Sequence, residues 1–540
     1  MKTYISLDIE TTGFDAEKDQ VIEIAAIKFR GDEIIDKFDT LIKPGIPLPP
    51  IITHITGIKS ADLEGAPAYE EIKDKLLEFI GGYPIVGHNI SFDLNFLNQK
   101  GLGAENFLYD TLQLAGMLIP GLASYSLDTL TRSLKIQHQK KHRAYDDAYA
   151  CFELFKILRQ KIDQLDENTL QIINEIMAKS KLPYAELFSQ KTIISIPVDY
   201  LKVPAARAKP AKESAPLEEI DYLGFYDGGG PLSQTIKHYE ARPTQKKLSA
   251  KILDAFDNSY NLLAEAGTGT GKTMAYLLPS IYYSLKHQKQ VIVSTYTKNL
   301  QEQITEKDIP LLQKTLHKIN PEININCASL KGRRNYLSTK RLEIYLQKDD
   351  FEEHEAIAVL KVLVWLNATK TGNFEEITLF NKEFQVLDEI CCAEYVCPHD
   401  DPHYANVCWL LRARKNAENA NIIVVNHALL LQNAIAEKPL LPEPAAEYLI
   451  VDEAHHLEKV TTESMAITLA FHPFIKPFER LQRSILEFQR QPSDLFNQFQ
   501  QQEQMTVIRA EVNQLISRIE IFFGLIGIFM EKNLEPTYFQ

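Results

Sequence analysis

Apolar and polar positions alternate along Tyr4-Ile-Ser-Leu-Asp-Ile-Glu10, which predicts a strand with Asp8 and Glu10 on one face. Val21 to Phe29 and Glu33 to Leu41 read as further strands, with Gly13 and Gly31 in the turns. Helical spacing follows at Ala68 to Ile80, Phe92 to Gln99 and Ala144 to Gln160, and more weakly from Asp163 to Gln190. Further on, Tyr260 to Leu263 and Met274 to Leu285 read as strand and helix around a glycine-rich loop. Val291 to Thr297 and Tyr448 to Val451 read as strands. After them come long helices rich in Gln and Phe, from Phe471 to Ile519. Strands alternating with helices make an α/β chain.

The pattern breaks once. Pro204-Ala-Ala-Arg-Ala-Lys-Pro-Ala-Lys-Glu-Ser-Ala-Pro216 lacks large apolar residues and is expected to be an extended linker that leaves the two modules' relative geometry open. With 540 residues the chain has room for three or four domains. The formal charge of −14 excludes a generally basic nucleic-acid coat, so any strand-binding path is a local patch. The run Ile521 to Met530 is too short to span a bilayer, and no membrane partner is expected. Met1-Lys-Thr-Tyr4 leads straight into a strand, without a signal-peptide pattern. Four of the six cysteines fall between 391 and 408, which suggests a metal rather than disulfides, and a cytoplasmic location is expected.

Ala264-Glu-Ala-Gly-Thr-Gly-Thr-Gly-Lys-Thr273 has the chemistry of a phosphate-binding loop. Gly267, Gly269 and Gly271 let backbone N–H groups close around a polyphosphate. Lys272 would reach the β/γ oxygens, and the Thr273 hydroxyl would ligate Mg²⁺. The strict pattern has Gly where this chain has Ala266. Upstream, Arg242 and Gln245 are placed to contact adenine. In Tyr448-Leu-Ile-Val-Asp-Glu-Ala-His455, Asp452 would hold the Mg²⁺ and Glu453 would position the attacking water.

Asp8, Glu10, Asp93 and Asp147 come from three separated segments and offer the oxygen ligands of two hard divalent cations, Mg²⁺ or Mn²⁺. His142, in His-Arg-Ala-Tyr-Asp-Asp147, can take a proton from water. Asp110, before Thr111-Leu112-Gln113, reads as a helix N-cap rather than a ligand. These segments resemble the DEDDh 3′–5′ exonucleases, the family of polymerase proofreading subunits, and all five signature positions match over about residues 1 to 160. The resemblance implies an RNase H-like mixed sheet flanked by helices.

The phosphate loop, the DEAH box, Lys331-Gly-Arg-Arg-Asn-Tyr336 and Val424-Val-Asn-His-Ala-Leu-Leu430 together resemble the DinG branch of the XPD-like, superfamily 2 helicases over about residues 221 to 540. Some members carry an N-terminal exonuclease. The resemblance implies a RecA-like first motor lobe with a cysteine-bearing insertion and a helical arch. The basic stretches Lys331 to Arg334 and Arg412 to Lys415, with Tyr336 and Trp409 nearby, are expected to line a strand-tracking groove. At the cluster positions of the iron–sulfur members stand Ser338, Cys392, Cys397 and Cys408, with Cys391 as a spare. Serine is a poor substitute for a thiolate at iron. A 4Fe–4S cluster, a zinc ion with His399 or His403, and no metal at all stay open, while Cys151 and Cys327 read as core residues.

The expected organisation is an exonuclease over 1–162, a helical extension and linker over 163–220, and a first motor lobe over 221–330 and 421–460. A cysteine insertion occupies 331–420 and a partial arch 461–540. The expected activity is metal-dependent 3′–5′ cleavage of nucleic acid, with single-stranded DNA carrying a free 3′ end as partner, fused to an ATP-binding helicase half. One rival makes the second module a nucleic-acid clamp that binds ATP without motor activity. Another makes the chain a polymerase-associated scaffold, against which the five intact signature residues count. In DinG-like proteins a second motor lobe follows the arch, whereas this sequence stops at Gln540. The expectation is therefore a fragment or half of a split enzyme, completed by a second polypeptide and unable to unwind duplexes alone.

Overall fold

The computed structural model describes residues 2–138, 141–188, 221–267, 269–392, 407–436, 439–442, 448–466 and most of 471–533. It divides into two compact units, Met1–Ala454 and His455–Gln540. The linker Pro204–Pro216, Cys397, His399 and His403 lie outside the described residues.

The larger unit begins with a five-stranded mixed sheet in the order β3-β2-β1-β4-β5. Its strands are β1 (Thr3–Thr11), β2 (Val21–Arg30), β3 (Glu33–Leu41), β4 (Ile85–Gly87) and β5 (Leu108–Asp110). β1 runs antiparallel to β2 and parallel to β4, so the first expected hairpins form and a crossover returns the chain to the other edge of β1. The helices over it are α1 (Tyr69–Ile80), α2 (Ile90–Gln99), α3 (Thr111–Leu118), α4 (Leu127–Leu134), α5 (Ala144–Asp163) and α6 (Glu167–Ala178). Ile5, Leu7 and Ile24 of the sheet are buried with Leu76, Phe96 and Leu97 of α1 and α2. On the other face Tyr4 and Phe29 pack on Phe152 and Phe155 of α5.

The second sheet is wholly parallel, in the order β7-β8-β6-β9, with β6 at Val291–Thr295, β7 at Cys327–Ser329, β8 at Ile422–Asn426 and β9 at Tyr448–Val451. Its two central strands begin with apolar runs, Val-Ile-Val in β6 and Ile-Ile-Val-Val in β8, as burial between helices requires, while β9 at one edge is only partly buried. Around it lie α7 (Pro243–Asp257), α8 (Lys272–His287) and α9 (Lys298–Gln303). The strand expected at Tyr260–Leu263 does not form. The Tyr260 hydroxyl turns back to Asp254 Oδ2 of α7, 2.8 Å away, and Leu263 is 93% exposed. Four residues beginning Tyr-Asn offer too little apolar surface to outweigh that local tie.

Between β7 and β8 the chain builds a helical insertion from α10 (Thr339–Leu346), α11 (Glu353–Leu366), α12 (Phe384–Ile390) and α13 (Trp409–Glu418). α11 reads Glu-His-Glu-Ala-Ile-Ala-Val-Leu-Lys-Val-Leu-Val-Trp-Leu, apolar on every side, and such a helix must be covered on every side. One side belongs to the insertion; the other packs on α3 and α6 of the exonuclease-like part, within one continuous core. The relative placement left open by the linker is thus set by packing.

The smaller unit contains α14 (Leu457–Met465) and α15 (Leu495–Asn533), a helix of 39 residues. Within Gln504–Met530 a stretch of 18 residues reaches mean hydropathy 1.4, and this is, among the described residues, the one helix long and apolar enough to cross a membrane by length and composition. The ten-residue run Ile521–Met530 understated it, because the helix continues through Val507, Ile508, Val512, Leu515 and Ile516 despite Arg509, Glu511, Arg518 and Glu520.

Candidate active and nucleotide-binding sites

β1 carries Asp8 and Glu10 to one face of the first sheet, opposite Ala25 and Glu23 of β2. α2 brings Asp93 under the same strand end, where its Oδ1 accepts the Ile9 N–H at 3.1 Å. α5 supplies Asp147 from its first turn. Arg143, just before that helix, is clamped by the buried Glu23, with 2.6 Å between Arg143 Nη2 and Glu23 Oε1, and the Ala144 N–H donates to the same carboxylate at 3.0 Å. Glu23 therefore fixes the angle at which Asp147 enters the site.

The four expected carboxylates do converge. Burial pushes the Asp93 carboxyl up to about 8, despite the Ile9 N–H that favours its charge. Burial, then the charges of Asp147, Glu23 and Asp93, push Glu10 up to about 8. Asp8 is raised well above the carboxylate range by burial and by Asp93, Asp147 and Glu10. Asp147 is raised by burial and held back by His138 and His142. Four acids that disfavour one another's charge in one half-buried place fit hard divalent cations held by Asp8, Glu10, Asp93 and Asp147. Ligand atoms of Glu10, His142 and Asp147 lie within 4.8 Å of one another, the one such cluster among the described residues.

His142 is exposed and sits at φ 57°, in the left-handed region, which turns its ring toward that cluster. Sequence reasoning missed His138, whose Nε2 lies 2.5 Å from Asp147 Oδ1 with its side chain only 6% exposed. No motif marks it. His88 is a different matter: burial lowers it to about 4, and its Nδ1 lies 3.0 Å from Thr111 Oγ1, so it is a neutral packing residue. Asp110 caps α3 through the Leu112 N–H at 2.8 Å, as expected.

An open groove of about 470 Å³ runs between the loop after β1 and α2, the helix that carries Asp93, and is lined by Phe14, Asp15, Glu17, Phe92, Asn95 and Gln99 among others. Phe14 is 90% exposed, and its ring stands edge-on to Phe92 at 6.3 Å. An exposed aromatic directly after Thr11-Thr12-Gly13 was visible in the sequence and not weighed.

At the second site Gly269 and Gly271 take φ of 76° and 79°, the left-handed backbone that a phosphate loop uses. Gly267 is exposed, and Lys272 and Thr273 open α8. Gln245 and Arg242, expected on adenine, touch the loop itself: Gln245 donates to the Gly271 carbonyl at 2.9 Å, and the Arg242 guanidinium donates to the Gly269 carbonyl. A side chain at Gly271 would collide with Gln245. From the end of β9, Asp452 accepts the Tyr276 hydroxyl at 3.1 Å, and Glu453 lies 2.5 Å from Lys272 Nζ.

The insertion corrects two expectations. Tyr336 and Trp409 are each 2% exposed, Trp409 lying flat on Gly372, so neither offers a face to a base. Lys331 is buried between Glu375 and Glu302 rather than facing a groove. Ser338 caps α10, its Oγ accepting the Arg341 N–H at 3.4 Å, while Cys392 Sγ donates to the Leu337 carbonyl at 3.5 Å. Both atoms are engaged in holding the local fold. Cys151 lies in the first core, and Cys327 is half-buried on β7.

Residues 5–155 match the exonuclease family model, and residues 242–395 match the DEAD/DEAH box helicase model. The 3′–5′ exonuclease DinG of Bacillus subtilis (strain 168) is 28% identical over 552 residues, covering 96% of this chain and 58% of the relative. The same-named protein of Staphylococcus aureus (strain MRSA252) is 29% identical over 492 residues, covering 87% of this chain and 52% of the relative. The chain thus spans about half the length of the curated relatives it matches. A solved structure, exonuclease X in complex with 5′ overhanging duplex DNA, is 26% identical, covers 31% of this chain and 96% of its own, and superposes with a TM-score of 0.26. The chain is thus similar to these DinG proteins along most of its length, and on one polypeptide it matches an exonuclease model followed by a DEAD/DEAH box helicase model.

Proposed function

We propose that the chain is a metal-dependent 3′–5′ exonuclease of single-stranded nucleic acid, with DNA as first substrate, joined to a module that binds ATP through Lys272 and Thr273. The observation that carries this is the convergence of Asp8, Glu10, Asp93 and Asp147, all raised toward neutrality by burial and mutual repulsion. When bound there, two Mg²⁺ or Mn²⁺ ions would supply an activated water and neutralise the leaving 3′ oxygen.

The chain's own residues then have separate tasks. His142, exposed at the rim and close to Glu10 and Asp147, takes the water's proton. Phe92, next to Asp93 on α2, and Phe14, in the loop after β1, offer apolar surface on which the terminal base of a strand can stack without being read. Asp452, beside the Tyr276 hydroxyl, and Glu453, paired with the Lys272 amine, serve the nucleotide's magnesium and the attacking water. Ser338, Cys392 and Cys408 take no part in these steps.

The test is a 5′-labelled single strand incubated with Mg²⁺, with and without ATP. Stepwise shortening from the 3′ end without ATP is expected, and Asp8→Ala should abolish it. His142→Ala should slow it by roughly 10²- to 10⁴-fold with little change in KM. Undiminished degradation of a strand with a blocked 3′ end would refute the polarity.

A further inference from the structure

The exonuclease domain and the cysteine-bearing insertion are far apart in sequence but share one core. α11 lies along α3 and α6: its residues Ile357 and Leu360 belong to the cluster that holds Leu114, Met117, Ile172 and Ile173, and Val364 packs against it. The helices approach closely at Gly116, where an added Cβ would stand 3.3 Å from Lys361 Cε. Lys361 itself is 2% exposed and pairs with Glu383 Oε2 at 2.7 Å, so its charge is satisfied inside the contact. Around this apolar centre sit directed bonds: Phe351 N–H to the Lys179 carbonyl at 3.0 Å, Asn367 Nδ2 to Thr169 Oγ1 at 3.1 Å, and Thr378 Oγ1 to the Leu122 carbonyl at 2.8 Å. Gly121, at φ 96°, would drive a Cβ to 2.5 Å from the Glu376 carbonyl.

The same short segment reaches the motor lobe. Glu375 pairs with Lys298 at the start of α9, 2.9 Å away, and with Lys331 after β7. Residues 375–378 thus touch the helicase-like sheet's surroundings on one side and the exonuclease on the other. Interfaces between domains of one chain are commonly polar and allow relative motion; a large apolar one does not.

We infer that the insertion is the permanent docking platform of the exonuclease, so that packing of α11 on α3 and α6, and not the linker, holds the exonuclease on the motor lobe. The linker then only keeps two halves of one body on a single chain, and cutting it leaves the body intact. Because the contact is apolar at its centre, the association survives salt that screens surface charges.

The experiment places a protease site between Pro204 and Pro216 of the full chain, cuts it, and runs the product on size exclusion at low salt and at about 1 M NaCl, where the screening length is roughly 3 Å. Co-elution of both pieces at both salts is expected. Two separate folded peaks at either salt would overturn the inference. In the cut chain Gly121→Val should release the exonuclease piece; its retention with unchanged stability would count against the contact. Hydrogen exchange on the uncut, unsubstituted chain covers the case in which that variant fails to fold. Residues 111–118 and 353–366 should exchange as slowly as β1 and β2, and fast exchange confined to those two helices would sink the proposal.

Discussion

Lys272 of the phosphate loop and Glu453 of the DEAH box hold each other at 2.5 Å, a contact that each must leave to serve a nucleotide. Both side chains are about a third exposed, so the pair is worth no more than about 1 kcal/mol. Glu453→Gln should therefore leave nucleotide affinity intact or tighten it by up to about fivefold, while ATP turnover falls. Lys272→Ala should lose binding outright. Titration with a fluorescent ATP analogue separates the two, and equal loss of binding in both variants would contradict the competition described.

The raised carboxyls predict how stability depends on pH and metal. Glu10 and Asp93 are pushed up to about 8, above their unfolded values, so the folded chain holds protons that the unfolded chain has released. Their contribution is full below the unfolded values, near 4, and is lost as pH rises through about 8. Thermal melts in chelator should fall over that interval, and Mg²⁺ should raise the Tm more at pH 8 than at pH 5. Asp8→Asn should stabilise the chelated chain at pH 8, raising the Tm by about 1 °C per kcal/mol relieved in a unit of this size. A metal shift independent of pH would show that the carboxylates are not the ligands.

Much of the two chemical sites was legible because Asp8, Glu10, Asp93, Asp147, Lys272 and Thr273 sit on strands or helices whose periodicity fixes their face. Asp8 and Glu10 alternate on β1, and Lys272 opens a helix after glycines that take positive φ. What escaped depends on contacts that no periodicity announces. His138 reaches Asp147 from a connection with no periodic pattern, and Tyr336 and Trp409 are aromatic at any exposure until neighbours such as Gly372 cover them. α11 carried a readable signal: apolar residues on every side demand two partners, of which the insertion supplies one.

Ser338 tests what the cysteine segment is for. Its hydroxyl caps α10, and its N–H donates to the Ile390 carbonyl at 2.8 Å, tying α10 to α12 beside Cys391. Ser338→Ala should cost about 0.5–2 kcal/mol from loss of the cap alone. Ser338→Asp, another good cap, should restore most of that if the residue acts as a cap. Urea melts read both, and an Ala variant as stable as the parent would remove the structural role assigned to the hydroxyl.

Phe14 gives the sharpest test of strand binding, because it is 90% exposed and its ring contact is the edge-on one with Phe92. With Phe92 it lines one groove of about 470 Å³. Stacking on a base is worth roughly 1–3 kcal/mol, so Phe14→Ala should weaken single-strand binding about 5- to 150-fold and raise KM accordingly. The carboxylates stay in place, so kcat on a saturating strand should change little, and Tm should hold. Phe14→Trp should bind at least as tightly as the parent, since a larger ring stacks more surface. Base identity at the 3′ end should matter little, because every base has a face to stack. Unchanged KM in Phe14→Ala, with Phe92→Ala also silent, would mean that the strand reaches Asp8 and Asp93 by another path.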